Sequence, residues 1–193
     1  MKKLTYIVLL LLTINSFSQE QNTKTNNRIG IELGGGLFFS NYRYYKNYNG
    51  LESINLGVFK NISKHFGIKI DQTYGRMFNE KINNRAFVLT STLNIYATFF
   101  SNKKINIRLL AGGGLLQIHT KCLYDSYPVT EHIYGSNIKA NIAVIYKVTN
   151  NIHLNINYDY NYGFINTTDN YIPDDYYYKT VFYSFNLGVI YLF

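Results

Sequence analysis

Residues 152–164 read Ile-His-Leu-Asn-Ile-Asn-Tyr-Asp-Tyr-Asn-Tyr-Gly-Phe. Ile152, Leu154, Ile156, Tyr158, Tyr160, Tyr162 and Phe164 take one set of alternate positions. His153, Asn155, Asn157, Asp159, Asn161 and Gly163 take the other. An extended chain sends successive side chains to opposite faces, so a strand separates the two sets; a helix would mix them.

Working outward, the same period returns along the chain. Val181, Tyr183, Phe185, Leu187, Val189, Tyr191 and Phe193 share a face at the C-terminus. Ile138, Ala140, Ile142, Val144 and Tyr146 alternate with Asn137, Lys139, Asn141 and Lys147. Ile29, Ile31, Leu33, Leu37 and Phe39 oppose Glu32, and Phe66, Ile68 and Ile70 oppose Lys69 and Asp71. Eight strands are expected, at 28–41, 51–60, 66–78, 86–99, 105–118, 133–147, 152–164 and 180–193. The connections alternate in length. Short ones fall at 61–65, 100–104 and 148–151, and long ones at 42–50, 79–85, 119–132 and 165–179. Tight turns at one end and long loops at the other are the layout of an eight-stranded antiparallel up-and-down transmembrane β-barrel, an all-β fold. Its loops are expected outside the cell and its termini in the periplasm. The run Leu33-Gly34-Gly35-Gly36-Leu37 is echoed by Ala111-Gly112-Gly113-Gly114-Leu115, which reads as shared strand curvature.

Composition narrows the alternatives. The chain has 193 residues, 47% hydrophobic, 17% aromatic and 16% charged, which is too apolar for a disordered segment. A single cysteine, Cys122, rules out an internal disulfide framework. Only residues 1–18 carry an apolar run. Lys2 and Lys3, then Leu4 to Leu12, then Ser16 and Ser18 read as a secretory signal peptide cut before Gln19. Residues 19–27 read as a flexible N-terminal tail, and 28–193 as the barrel alone. The excess of basic residues does not imply nucleic-acid binding in an exported chain.

Alternation does not say which face is outside. The apolar faces carry no charge, and a Lys or Arg at mid-membrane on a lipid face would cost about 2–4 kcal/mol. Aromatic residues also gather at strand ends. Phe59, Phe66, Phe99, Tyr146, Tyr191 and Phe193 lie near the short turns, and Phe39, Tyr74, Phe87, Tyr134, Tyr162 and Tyr183 near the long loops. They are expected to form two girdles at the membrane interfaces. The apolar face is therefore expected to meet lipid.

The chain ends Asn186-Leu187-Gly188-Val189-Ile190-Tyr191-Leu192-Phe193. This fits polar-x-Gly-x-x-apolar-x-aromatic and resembles the C-terminal β-signal of bacterial outer-membrane proteins. The whole of 28–193 resembles the small outer membrane β-barrel, or porin family, proteins common in Bacteroidota. The resemblance implies recognition of Asn186, Gly188, Tyr191 and Phe193 by the barrel-assembly machinery, and a place in the bacterial outer membrane among its lipids and lipopolysaccharide.

An eight-stranded barrel is filled by its own side chains. Glu32, Lys69, Asp71, Arg108, Lys139, His153 and Asp159, with Asn141 and Asn155, are expected inside as a polar plug. Lys139 and Asp159 sit on neighbouring strands and can pair. No cofactor, metal or catalytic site is expected, and the chain does not read as an enzyme. None of His65, His119, His132 and His153 is followed two residues on by a Ser, as in outer-membrane lipid A deacylases; Ser63 stands two residues before His65, in a short turn. Asp125-Ser126 stands in the third loop, whereas the palmitoyltransferase pair stands in the second. Asp169, Asp174 and Asp175 lack the spacing of a cation loop. Arg43, Lys46, Lys81 and Arg85 are placed to meet lipopolysaccharide phosphates. Tyr42, Tyr44, Tyr45, Tyr48, Tyr124, Tyr127, Tyr171, Tyr176, Tyr177 and Tyr178 crowd the loops, as suits surface contact. Two functions stay open: a structural or surface-interaction barrel, and a narrow channel for ions or small solutes. The sequence names no surface ligand.

Overall fold

The computed structural model describes residues 28–40, 49–79, 84–100, 103–124, 127–166 and 177–193. They form eight strands: β1 (Ile29–Ser40), β2 (Asn49–Asn61), β3 (Phe66–Asn79), β4 (Asn84–Phe99), β5 (Ile105–Tyr124), β6 (Tyr127–Lys147), β7 (Ile152–Asn166) and β8 (Tyr177–Leu192). Each pairs antiparallel with its sequence neighbours. β8 returns to β1, from Gly30 opposite Leu192 to Ser40 opposite Phe182, and closes the barrel. Closure removes the two sheet edges whose unpaired N–H and C=O groups hydrocarbon cannot solvate.

The register fixes the tilt. The path of paired residues from Ile29 through Lys60, Ile68, Ile95, Ala111, Ala140, Tyr160 and Tyr183 returns to β1 at Phe39, ten residues beyond its start. That stagger over eight strands corresponds to a tilt of about 40°, inside the usual range. At ~3.3 Å per residue, a tilted ten-residue stretch gives an apolar band about 25 Å tall.

Outward side chains are apolar and open. Ile95 is 70% exposed and Leu187 59%. Exposed apolar area this continuous is foreign to a monomer in water. Inward positions are buried all round the barrel. The glycine echo has a common geometry. A Cβ at Gly36 would run into the Phe185 carbonyl, and one at Gly114 into the Ser91 carbonyl. Only glycine lets the adjacent strand come so near at both places.

Two sequence expectations are corrected. The stretch 119–132, expected as a loop, is mostly ladder: β5 and β6 pair from His119 opposite His132 to Tyr124 opposite Tyr127. The stretch is largely polar and carries Pro128. A hairpin that continues past the apolar band needs no apolar face, however, and Pro128, opposite Leu123 near the tip, gives up little pairing. Phe59, expected in a girdle, is 2% exposed and points inward beside Tyr96. It shares parity with Ser53, Asn55 and Gly57, so the pleat turns it inside. The remaining girdle positions face outward, among them Phe66, Phe99 and Tyr134.

The strands also take in 49–50, 79, 84–85, 165–166 and 177–179 from the other expected loops. The signal peptide 1–18, the tail 19–27, Arg43, Lys46, Lys81, Asp125, Ser126, Asp169, Asp174 and Asp175, with Tyr42, Tyr44, Tyr45, Tyr48, Tyr171 and Tyr176, lie outside the described residues.

Candidate functional site

The interior is built in three layers along the barrel. Toward the long loops, Phe38, Met77, Ala86, Val88, Leu116, Ile118, Ile165 and Phe182 form an apolar layer, with Phe38 and Phe182 stacked at 5.5 Å. Toward the short turns, Phe59, Tyr96, Leu110, Ala143, Ile145, Ile190 and Leu192 form a second. Between them lies a charged and polar layer.

That middle layer is a chain of alternating charges. Arg108 Nη1 stands 3.8 Å from Glu32, and Lys69 Nζ bridges Glu32 at 3.1 Å and Asp71 at 3.3 Å. Lys139 Nζ then bridges Asp71 and Asp159, both at 3.0 Å. Three cations face three anions, so the chain is formally neutral. The Lys139–Asp159 contact joins neighbouring strands. The Lys139–Asp71 contact crosses the lumen from β6 to β3, which are not paired.

Neutral donors complete the carboxylates. Asn155 donates to Glu32 at 2.9 Å, and Thr92 to Asp71 at 2.5 Å. Asp159 accepts from Asn141, Ser184 and Asn186 at 2.8, 3.0 and 3.2 Å. Buried charges cost several kcal/mol each unless paired and hydrogen-bonded, and here the carboxylates have both. Gly57 makes the layer possible: a Cβ there would overlap the Lys69 side chain.

The structure thus joins eight of the nine expected interior residues in one network: Glu32, Lys69, Asp71, Arg108, Lys139 and Asp159 by ion pairs, and Asn141 and Asn155 by hydrogen bonds to its carboxylates. His153 is buried but lies at the turn-side mouth, apart from that chain. Thr73, Thr92, Asn94 and Ser184 also belong to the layer. They were missing from the expected set because nothing marks a neutral inward residue except its parity.

The C-terminal residues have visible packing roles. Asn186 donates to Asp159 and accepts from Ser53. A side chain at Gly188 would collide with Asn155. The Tyr191 and Phe193 rings meet edge to face at 4.9 Å at the barrel's end. Among the described residues, no three His, Cys, Asp or Glu side chains gather as metal ligands.

No family model and no curated protein sequence matches the chain. Solved structures do. Neisserial surface protein A superposes with a TM-score of 0.64 at 16% identity, over 86% of this chain and 97% of that one. Ail, the attachment invasion locus protein of Yersinia pestis, gives 0.57 at 14% identity, over 86% and 99%. The N-terminal β-barrel domain of Pseudomonas aeruginosa OprF gives 0.50 at 14%, over 88% and 100%. The fold is that of the small outer-membrane barrels.

Proposed function

We propose that the chain is an integral outer-membrane barrel with a structural or surface-interaction role, and not a conducting pore. The observation that carries this reading is the layered interior. Apolar side chains fill the lumen at both ends, and the charges between them neutralise one another. An ion path would have to cross both apolar layers and displace a lysine that is 1% exposed. The fold similarity to Neisserial surface protein A and to Ail, an attachment invasion locus protein also solved with the heparin analogue sucrose octasulfate, agrees with a surface role.

In this reading the tyrosine-rich loops face outward, near lipopolysaccharide, and the short turns face the periplasm. The barrel-assembly machinery reads β8 through Gly188, Tyr191 and Phe193 before that strand closes on β1. Tags at Asn47 and Asp169 should be labelled on intact cells, while one at Ser63 should not. Labelling at Ser63 alone would reverse the orientation. Deleting Phe193 should lower the folded species in outer-membrane fractions while leaving folding into detergent nearly intact. Unchanged outer-membrane levels would count against the assembly signal.

A further inference from the structure

The turn-side mouth opens as a bowl of about 390 Å³ that shares only Arg108 with the interior network and has no part in the proposed surface role. Arg28, Ser63, Lys64, Arg108, Thr149 and His153 line it from different elements, and Lys147 lines it too; no Asp or Glu is among its lining residues. The sequence repeats this bias. The short turns carry Lys64, His65, Lys103 and Lys104 and no acidic residue.

Three features make the bowl a built site and not merely a charged rim. Arg108 forms its floor, clamped between the Phe59 and Tyr96 rings at 4.7 and 4.4 Å, so its guanidinium is held in place. That side chain is more than nine-tenths buried; its Nε and Nη1 are sealed from the bowl, and what remains of the guanidinium lines it. Glu32 at 3.8 Å is beyond hydrogen-bond reach.

Arg28 is fixed over the mouth, its Nη1 donating to the Asn150 carbonyl at 3.0 Å. Ser63 and Thr149 hold their turns identically. Each oxygen accepts two backbone N–H groups, from His65 and Phe66 and from Asn151 and Ile152. Each hydroxyl proton is left to donate.

We infer that this bowl binds a phosphate group, with Arg108 as its floor and Arg28 and Lys64 as its walls. Donors converging from several sides suit a tetrahedral oxyanion better than a planar carboxylate, and a guanidinium fork binds phosphate oxygens directly. The inference holds whichever way the barrel is inserted.

The test uses the full chain folded in zwitterionic micelles, with inorganic phosphate titrated while the Arg108 Nε–H signal is followed by NMR. Expected is a saturable shift that acetate at equal ionic strength does not produce. Lys64→Gln, in an exposed turn, should weaken binding about three- to tenfold, and Arg108→Gln at least about tenfold. Arg76→Gln, far from the bowl, should leave it unchanged. Short-chain phosphatidylglycerol that displaces the phosphate would assign the site to a lipid headgroup; failure to displace it would assign a soluble phosphate. A linear response, an equal response to acetate, or an unchanged affinity in Lys64→Gln would overturn the inference.

Discussion

The middle of the barrel and its two ends solve the same problem by opposite means. Each must fill a narrow lumen without leaving a void or an unpaired charge. The ends use rings and branched aliphatic side chains: Phe38 on Phe182 at one, Phe59 against Tyr96 at the other. The middle uses a chain of ion pairs in which Lys139 bridges two carboxylates across the lumen. Packing at the ends tolerates the loss of one contact as a cavity. Pairing in the middle does not, because removing one partner strands a charge in a place that water reaches poorly. The contrast explains why the most buried of the described lysines, Lys139, lies at the barrel's waist, between two apolar layers.

Lys139→Met should break that contrast most sharply. The volume is kept, but Asp159 loses its only described cation and Asp71 keeps only Lys69. The expected loss is about 3–5 kcal/mol in urea unfolding from lipid vesicles. Adding Asp159→Asn should recover part of it, because the stranded carboxylate is then gone. Equal stability of Lys139→Met and the unmodified chain would mean that these ion pairs carry no weight.

Phe38→Ala probes the loop-side layer. It removes the stack on Phe182 and should cost about 3 kcal/mol in the same assay. Its effect should add to that of Lys139→Met if the layers are independent, and a double-mutant cycle measures this.

Arg76→Gln supplies the exposed counterpart. Arg76 Nη2 donates to Glu52 at 3.0 Å near the loop end, on the outer face of β2 and β3, where both side chains are more than a third exposed. The expected cost is under about 1 kcal/mol. A cost as large as that of Lys139→Met would show that position within the barrel does not set the value of an ion pair here.

Much of this architecture was legible in the chain. Period-two alternation from Ile152 to Phe164 gave the strand class and, repeated eight times, the barrel; Lys139 and Asp159 could be matched because sequential strands pair. Lys139 with Asp71 could not, because that contact spans unpaired strands and exists only after closure sets the lumen's width. Phe59 was misplaced because its aromatic character outweighed its parity. Strict parity would have turned it inward and revealed the turn-side apolar layer with it. The β5–β6 extension was hidden for another reason: the polar–apolar alternation fades beyond Ile118, so the pattern no longer marks a strand. The bowl needed three dimensions, since its walls come from segments far apart in sequence.

Planar-bilayer recording of the purified chain tests the central claim most directly, that the interior is closed by two apolar layers around a self-neutralised core. The account predicts no discrete conductance steps from the unmodified barrel. Discrete, ion-selective steps would contradict it and establish the narrow channel in its place.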